Sequence, residues 1–188
     1  MNEIELIRTQ LLTERTHAAQ VAHACATAIG AGQADETDDT RAFRDACVSY
    51  LVWVLARFEQ RDQLLAEHLQ TPPDAGRAPR DDAWPAGLGE MAARPGTSRE
   101  ALAKLEAALG AARPEAARTA WQAFARFFHS VWSERRTGIE DQLTRLTAVA
   151  GWRAVCAVDA DSILEERSRY AAVLARLPAG IALHETRA

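Results

Sequence analysis

Glu14, Arg61, Arg135 and Glu166 each stand where helical spacing calls for an apolar residue. Two carboxylates and two guanidinium groups on inward-facing positions can neutralise one another. They can also present forked donors and acceptors to a polar ligand. A lone charge in such a place costs several kcal/mol, so partners are required. The local phrases resemble each other: Thr13-Glu14-Arg15, Glu59-Gln60-Arg61-Asp62, Ser133-Glu134-Arg135-Arg136 and Glu165-Glu166-Arg167. Counting from the turns puts the charges at similar heights. Arg135 lies 16 residues before Gly151 and Glu166 lies 15 after it. If the chain turns back at that glycine, about 1.5 Å of rise per residue brings the two level, and they are expected to pair. Glu14 lies 16 residues before Gly30, and Arg57 lies 17 after Thr40, with Arg61 one turn further. A central polar layer of Glu14, Arg57, Arg61, Arg135 and Glu166 follows as a candidate ligand site. The plainer alternative places these residues at the stripe edge, with their charged ends reaching water.

A second chemistry is metal binding. Helical bundles ligate metals with inward carboxylates and histidines three or four residues apart. Glu14-Arg15-Thr16-His17 has the Glu-x-x-His spacing, and Glu59 and Asp62 stand three apart. A ferritin-like di-iron site needs a second Glu-x-x-His helix, and the sequence has none. The remaining histidines, His23, His68, His129 and His184, are scattered. Asp159-Ala160-Asp161-Ser162 begins like a calcium loop but lacks the required Gly and terminal Glu, so a helix start explains it better. There is no nucleophile elbow, phosphate-cradling glycine loop, paired-cysteine motif or Ser-His-Asp order, so no catalytic residues are assigned.

The elements that must position these groups are helices. Ala, Leu, Arg, Glu and Gln dominate, and strand-forming clusters are scarce. Ile4, Ile7, Leu11, Glu14, Ala18, Val21, Cys25 and Ala28 alternate at spacings of three and four, predicting a helix from about Glu3 to Ile29. Phe43, Cys47, Tyr50, Val54, Phe58, Arg61, Leu65 and His68 predict a second from about Thr40 to Leu69, stopped by Pro72 and Pro73. Residues 72–97 read as a long connection within one domain spanning 1–188. Thr97-Ser98-Arg99-Glu100 reads as a capping box for a short helix over Ser98–Leu109. Pro114 opens a third long helix carrying Trp121, Phe124, Phe128, Val131, Arg135, Ile139, Leu143 and Leu146, running to about Val149 and broken by Gly151. The last helix carries Ile163, Glu166, Tyr170, Val173 and Leu177. It starts near Trp152 or at the capping pattern Asp161-Ser162-Ile163-Leu164-Glu165. The fold expected is all-α: an antiparallel four-helix bundle with a long loop and one short extra helix between helices two and three.

The phrasing of helices two and three resembles the hemerythrin-like family of four-helix bundles. In that family an apolar helix carries a histidine, an acid four residues on, and a leucine four after that. Leu55-Ala56-Arg57-Phe58-Glu59-Gln60-Arg61-Asp62 followed by Leu65 has that form, as does Phe127–Ile139. The resemblance covers about half the chain. Arg57 and Val131 stand where the family has histidines, and Arg61 and Arg135 where it has bridging carboxylates. The resemblance therefore implies a member whose metal centre has been replaced by arginines.

Composition narrows the partners. A net charge of −4 gives no general attraction to nucleic acid or an anionic membrane. Of the 22 basic residues only Lys104 is a lysine, a bias that a GC-rich genome explains. Cys25, Cys47 and Cys156 are far apart and lie on apolar faces, which reads as reduced core thiols. Met1–Gln10 has no signal-peptide character, and the longest apolar stretch, Tyr50–Ala56, is too short to span a bilayer, so a cytoplasmic protein is expected. Trp121, Trp132 and Trp152 offer aromatic surface for a homodimer or protein partner, with core packing the competing use. The reading is a non-enzymatic helical bundle that binds a polar small ligand or a protein partner, without a cofactor. The alternative is an iron-binding hemerythrin-like or ferritin-like bundle using Glu14, His17, Glu59 and Asp62.

Overall fold

The computed structural model describes residues 3–30, 37–70, 96–111, 114–143, 149–156 and 159–183. The side chains of 65, 66, 68–70, 114, 131–143, 149, 150, 154 and 155 lie outside that description. Every regular element among the described residues is an α-helix, and there are six. They are α1 (Glu3–Gly30), α2 (Asp38–Gln70), α3 (Thr97–Gly110), α4 (Pro114–Leu143), α5 (Val149–Cys156) and α6 (Ala160–Leu174).

Helix α2 is the hub, touching α1, α3, α5 and α6. Its buried face carries Phe43, Cys47, Tyr50, Leu51, Val54 and Leu55. The facing stripe of α1 is built from small residues, among them Ala18, Ala24, Cys25 and Ala28, which lets the two helices approach closely. Leu102 and Leu105 of α3, Ala117 and Phe124 of α4 and Val173 of α6 complete one continuous apolar cluster. Each large side chain removed from water there contributes roughly 1.5–3 kcal/mol. Cys25 and Cys47 are buried free thiols. Hydrogen bonding to Cys25, followed by burial, pushes the Cys47 thiol far above its ordinary pKa. Both behave as core side chains.

Cross-helix contacts fix the directions. Glu14 of α1 meets Arg61 of α2, while His17, one turn on, shares Glu166 with Tyr50, so α1 and α2 are antiparallel. Glu166 meets His17 and Tyr170 meets Gln20, so α6 runs with α1. Helix α2 thus opposes both of these neighbours.

The expected boundaries hold closely for α1, α2 and α3, and in the last third of the chain the break expected at Gly151 fails. The third long helix is described as far as Leu143, and the break expected at Gly151 does not occur there. Gly151 lies buried inside α5, next to buried Trp152. A single glycine costs a helix only about 1 kcal/mol relative to alanine, which packing of α5 against α1 and α2 can offset. Of the two starts expected for the last helix, the later one, at Asp161, matches α6, and α5 is a separate short helix before it. Trp152 belongs to the interior, and Trp121 is half-buried against Phe124, with ring centroids 5.3 Å apart. Trp132, Leu65 and His68 have side chains outside the description. Most of the 72–97 connection also falls outside it.

The two expected capping boxes fare differently. Asp159 caps α6: its carboxylate accepts the Ser162 N–H at 2.7 Å, and Ser162 Oγ accepts the Asp159 N–H at 3.0 Å. This box starts before the one expected at Asp161–Glu165. At α3 the N-cap falls one residue before the expected Thr97, on a residue that brings no side-chain cap bond. The N-cap is Gly96, at φ 91°, a left-handed conformation that a residue with a Cβ adopts only with strain. The acceptor comes from another helix. Glu59 of α2 takes the Gly96 N–H at 3.0 Å on Oε2 and the Ser98 N–H at 2.9 Å on Oε1. Two of the unpaired donors at the start of α3 are thereby satisfied by a negative charge. Glu59→Ala is expected to lower stability by about 1 kcal/mol in urea unfolding. Glu100→Ala, at the acid of the sequence-level box, should stay within about 0.5 kcal/mol. Equal losses would return the cap to the local sequence.

Candidate functional site

Glu14 is fully buried in α1, about one turn before the small-residue stripe that begins at Ala18. Arg61 of α2 grips it with both terminal nitrogens, Nη1 to Oε2 at 2.5 Å and Nη2 to Oε1 at 3.1 Å. The third donor edge of Arg61 is also used: Nε donates to the Cys156 carbonyl at 2.7 Å. Cys156 is the last residue of α5, so that carbonyl is one of those a helix end leaves without an internal partner. One guanidinium therefore joins α1, α2 and the C-terminus of α5. Gln10, one turn before Glu14, adds a donor to Oε1 at 3.3 Å. Arg61 also lies over the ring of Phe58, 5.9 Å from its centroid.

Arg57, one turn earlier on α2, shares this carboxylate without bonding to it. Its Nη2 stands 3.6 Å from Glu14 Oε1, an ion-pair distance too long for a hydrogen bond. Both Nη2 and Nε of Arg57 are buried and have no hydrogen-bond partner among the described residues. The guanidinium lies on the Trp53 ring, 4.9 Å from its centroid, and Arg169 of α6 lies 5.2 Å from the same ring. Burial and repulsion by Arg61 lower the Arg57 pKa, against the attraction of Glu14, Glu165 and Asp159.

A second cluster sits one turn along α1. Glu166 of α6 is fully buried. Its Oε1 accepts the Tyr50 hydroxyl at 2.8 Å and lies 2.8 Å from His17 Nδ1. Its Oε2 is buried without a partner among the described residues. Burial, then the neighbouring Glu166 charge, push the Tyr50 hydroxyl above its ordinary pKa, so it remains a donor. His17 stacks on Tyr170, with centroids 3.7 Å apart and planes 5° from parallel, and the Tyr170 hydroxyl donates to Gln20 at 2.6 Å. Tyr50 feels the charges of both Glu166 and Glu14, which places it between the two clusters.

The structure thus brings together Glu14, Arg57 and Arg61, with Glu166 in the adjoining cluster. The side chain of Arg135 lies outside the description. The height match that paired Arg135 with Glu166 assumed a turn at Gly151, and no turn occurs there. The partners seen on Glu166 are His17 and Tyr50. The four candidate metal ligands do not converge. Glu14 is held by Arg61, His17 faces Glu166, and Glu59 is turned to the start of α3. Asp62 is buried on the same helix as Glu59. Among the described residues no group of three or more His, Cys, Asp or Glu is placed to hold a metal ion. No helix among them is long and apolar enough to cross a membrane. Sequence reasoning missed His17 and Tyr50 as polar partners. The usable signal was Tyr50 itself, a hydroxyl on a buried stripe that needs an acceptor.

Two consequences can be measured. Arg61→Met should cost about 3–5 kcal/mol in urea unfolding, because Glu14 then stays buried without its fork. Adding Glu14→Leu should recover much of that loss; additive losses would mean that the two groups are not coupled. Glu166 supplies a pH signature. Burial would raise its pKa, but hydrogen bonds from His17 and Tyr50, with the charges of His17 and Arg167, outweigh this and hold it below the ordinary 4.5. A depressed folded-state value contributes stability above the unfolded-state pKa, and that contribution disappears as pH falls through the folded-state one. Between about pH 7 and about pH 3, stability of the wild-type chain should therefore fall more steeply than that of Glu166→Gln. Parallel curves would contradict an ionised Glu166.

Compared with family models, curated proteins and solved structures, the chain matches none, so the hemerythrin-like resemblance rests on the phrasing of two helices alone.

Proposed function

We propose that this chain is a helical bundle, organised around four principal helices, that binds a small polar ligand in the layer formed by Glu14, Arg57, Arg61 and Glu166, and does not transform it. One observation carries the reading. Arg57 Nε and Nη2 and Glu166 Oε2 are buried without hydrogen-bond partners among the described residues, within a layer whose other members are well paired. An unsatisfied buried polar group costs about 1–3 kcal/mol, and more when charged. A purely structural ion network gains nothing from that cost, whereas a binding site keeps such groups for its ligand. The surroundings suit recognition. Trp53 and the Tyr50, Tyr170 and His17 rings hold the polar groups in place, and the side chains of Arg57 and His17 retain 15% and 21% exposure. Parts of both side chains therefore reach solvent.

The test separates ligand-holding from structural arginines. Arg57→Met removes unpaired donors and leaves the Glu14–Arg61 fork in place. Its urea midpoint in ligand-free buffer should match or exceed that of the wild-type chain. A loss above about 2 kcal/mol, approaching that of a broken buried ion pair, would make Arg57 a structural partner of Glu14 and remove the support for a binding site.

A further inference from the structure

The register that joins Glu14 to Arg61 also pairs two thiols. Glu14 of α1 faces Arg57 and Arg61 of α2, at 3.6 and 2.5 Å, so its level on α2 lies between them. The two helices are antiparallel. Cys25 lies 11 residues beyond Glu14, and Cys47 lies 10 before Arg57 and 14 before Arg61. At about 1.5 Å of rise per residue, Cys25 stands about 16 Å from the Glu14 level and Cys47 about 15–21 Å from it, in the same direction. These intervals are close to three and four whole turns, so both cysteines return to the faces that carry Glu14 and Arg61. Both are fully buried in one apolar cluster, and their thiols are hydrogen-bonded to each other. Ala24 and Ala28 flank Cys25 on the buried face of α1. Such small residues favour the close backbone approach that a disulfide needs, with Cα atoms about 4.4–6.8 Å apart. Cys156 is excluded from the pair. Its carbonyl is held by Arg61 at 2.7 Å, at the Glu14 level, about three turns of α1 away from Cys25.

We propose that Cys25 and Cys47 are a redox-active pair, which a low-molecular-weight disulfide such as glutathione disulfide closes into an intramolecular bond stapling α1 to α2. One cysteine thiolate attacks the small disulfide, forming a mixed disulfide and releasing one reduced thiol. The other cysteine thiolate then attacks the protein sulfur of that mixed disulfide and releases the second. One S–S bond forms for each one broken; the pair gives up two electrons and two protons, and the small disulfide takes them. Access is gated by the fold. Neither residue is exposed, and hydrogen bonding to Cys25 with burial holds the Cys47 thiol far above its ordinary pKa, so the closed pair is inert. Cys25 lies five residues before the end of α1 and Cys47 nine after the start of α2. Helix ends open locally at less cost than the core, and such opening uncovers both thiols. The bond then closes a loop with 21 residues between its ends, which restricts the open ensemble and disfavours reopening. Opening under oxidising conditions is thereby converted into a lock on the register that sets Glu14 against Arg57 and Arg61.

The full chain, brought to equilibrium with glutathione disulfide in subdenaturing urea and then quenched with acid, tests this by thiol titration after denaturation and by peptide mapping. Free thiols should fall from three per chain to one, and a cross-linked peptide should join Cys25 to Cys47. The urea midpoint of the oxidised chain should exceed that of the reduced one. Cys156→Ala should keep the cross-link and the raised midpoint, while Cys47→Ala should lose both. Oxidation should be slower in plain buffer than in subdenaturing urea, because it waits for opening. Retention of all three thiols, a stable mixed disulfide on the wild-type chain, cross-links to Cys156 or to a second copy, or a midpoint lowered by oxidation would each overturn the pair. Equal rates with and without urea would overturn its gating by the fold. The peptide map of the wild-type chain decides alone if a variant fails to fold.

Discussion

The Glu14–Arg61 fork is the contact around which the rest is arranged. A fully buried carboxylate on α1 requires a counter-charge, and only a forked donor fills both oxygens at once. Arg61 does so and still has Nε left for the final carbonyl of α5. Its position therefore fixes three things together: the register of α1 against α2, the place where α5 ends, and the level from which α6 departs. Lysine has no comparable edge, so the contact depends on guanidinium shape and not on charge alone.

Arg57, four residues away, shows what the same side chain does without a carboxylate of its own. The two arginines lie on adjacent turns, and Glu14 has room for one of them. Arg61 makes three hydrogen bonds at 2.5, 2.7 and 3.1 Å, while Arg57 has an aromatic floor and an unpaired edge. Glu166 repeats the asymmetry with the sign reversed, one oxygen doubly served and one empty. The layer is saturated towards α5 and leaves unpaired atoms on Arg57 and Glu166 among the described residues.

Much of this could be read from residue order. Charges at Glu14, Arg61 and Glu166 interrupt stripes that are otherwise apolar, and all three are buried. Helix α1 and the start of α4 were legible because periodicity and a first-position proline are local signals. The choice of partner was not. One residue of register turns a helix by about a hundred degrees, so a count from an assumed turn cannot choose between Arg135, His17 and Tyr50 as partners of Glu166. Gly151 misled for a related reason. It was read as punctuation, while the buried environment of α5 holds it in a helix. Thr97–Glu100 carries the letters of a cap, yet the acceptor stands on α2, where no local pattern could reveal it.

That borrowed cap bears on the order in which the chain assembles. The first turn of a helix is its costly step, because several residues are fixed before the first bond forms. Helix α6 carries its own reciprocal cap within Asp159–Ser162 and can start unaided. The first turn of α3 gains its acceptor only when Glu59 is alongside, 37 and 39 positions away along the chain. Docking against α2 and growth of α3 from Gly96 are thus one cooperative event. The separation of 37 and 39 positions makes this a non-local contact, of the kind that slows folding.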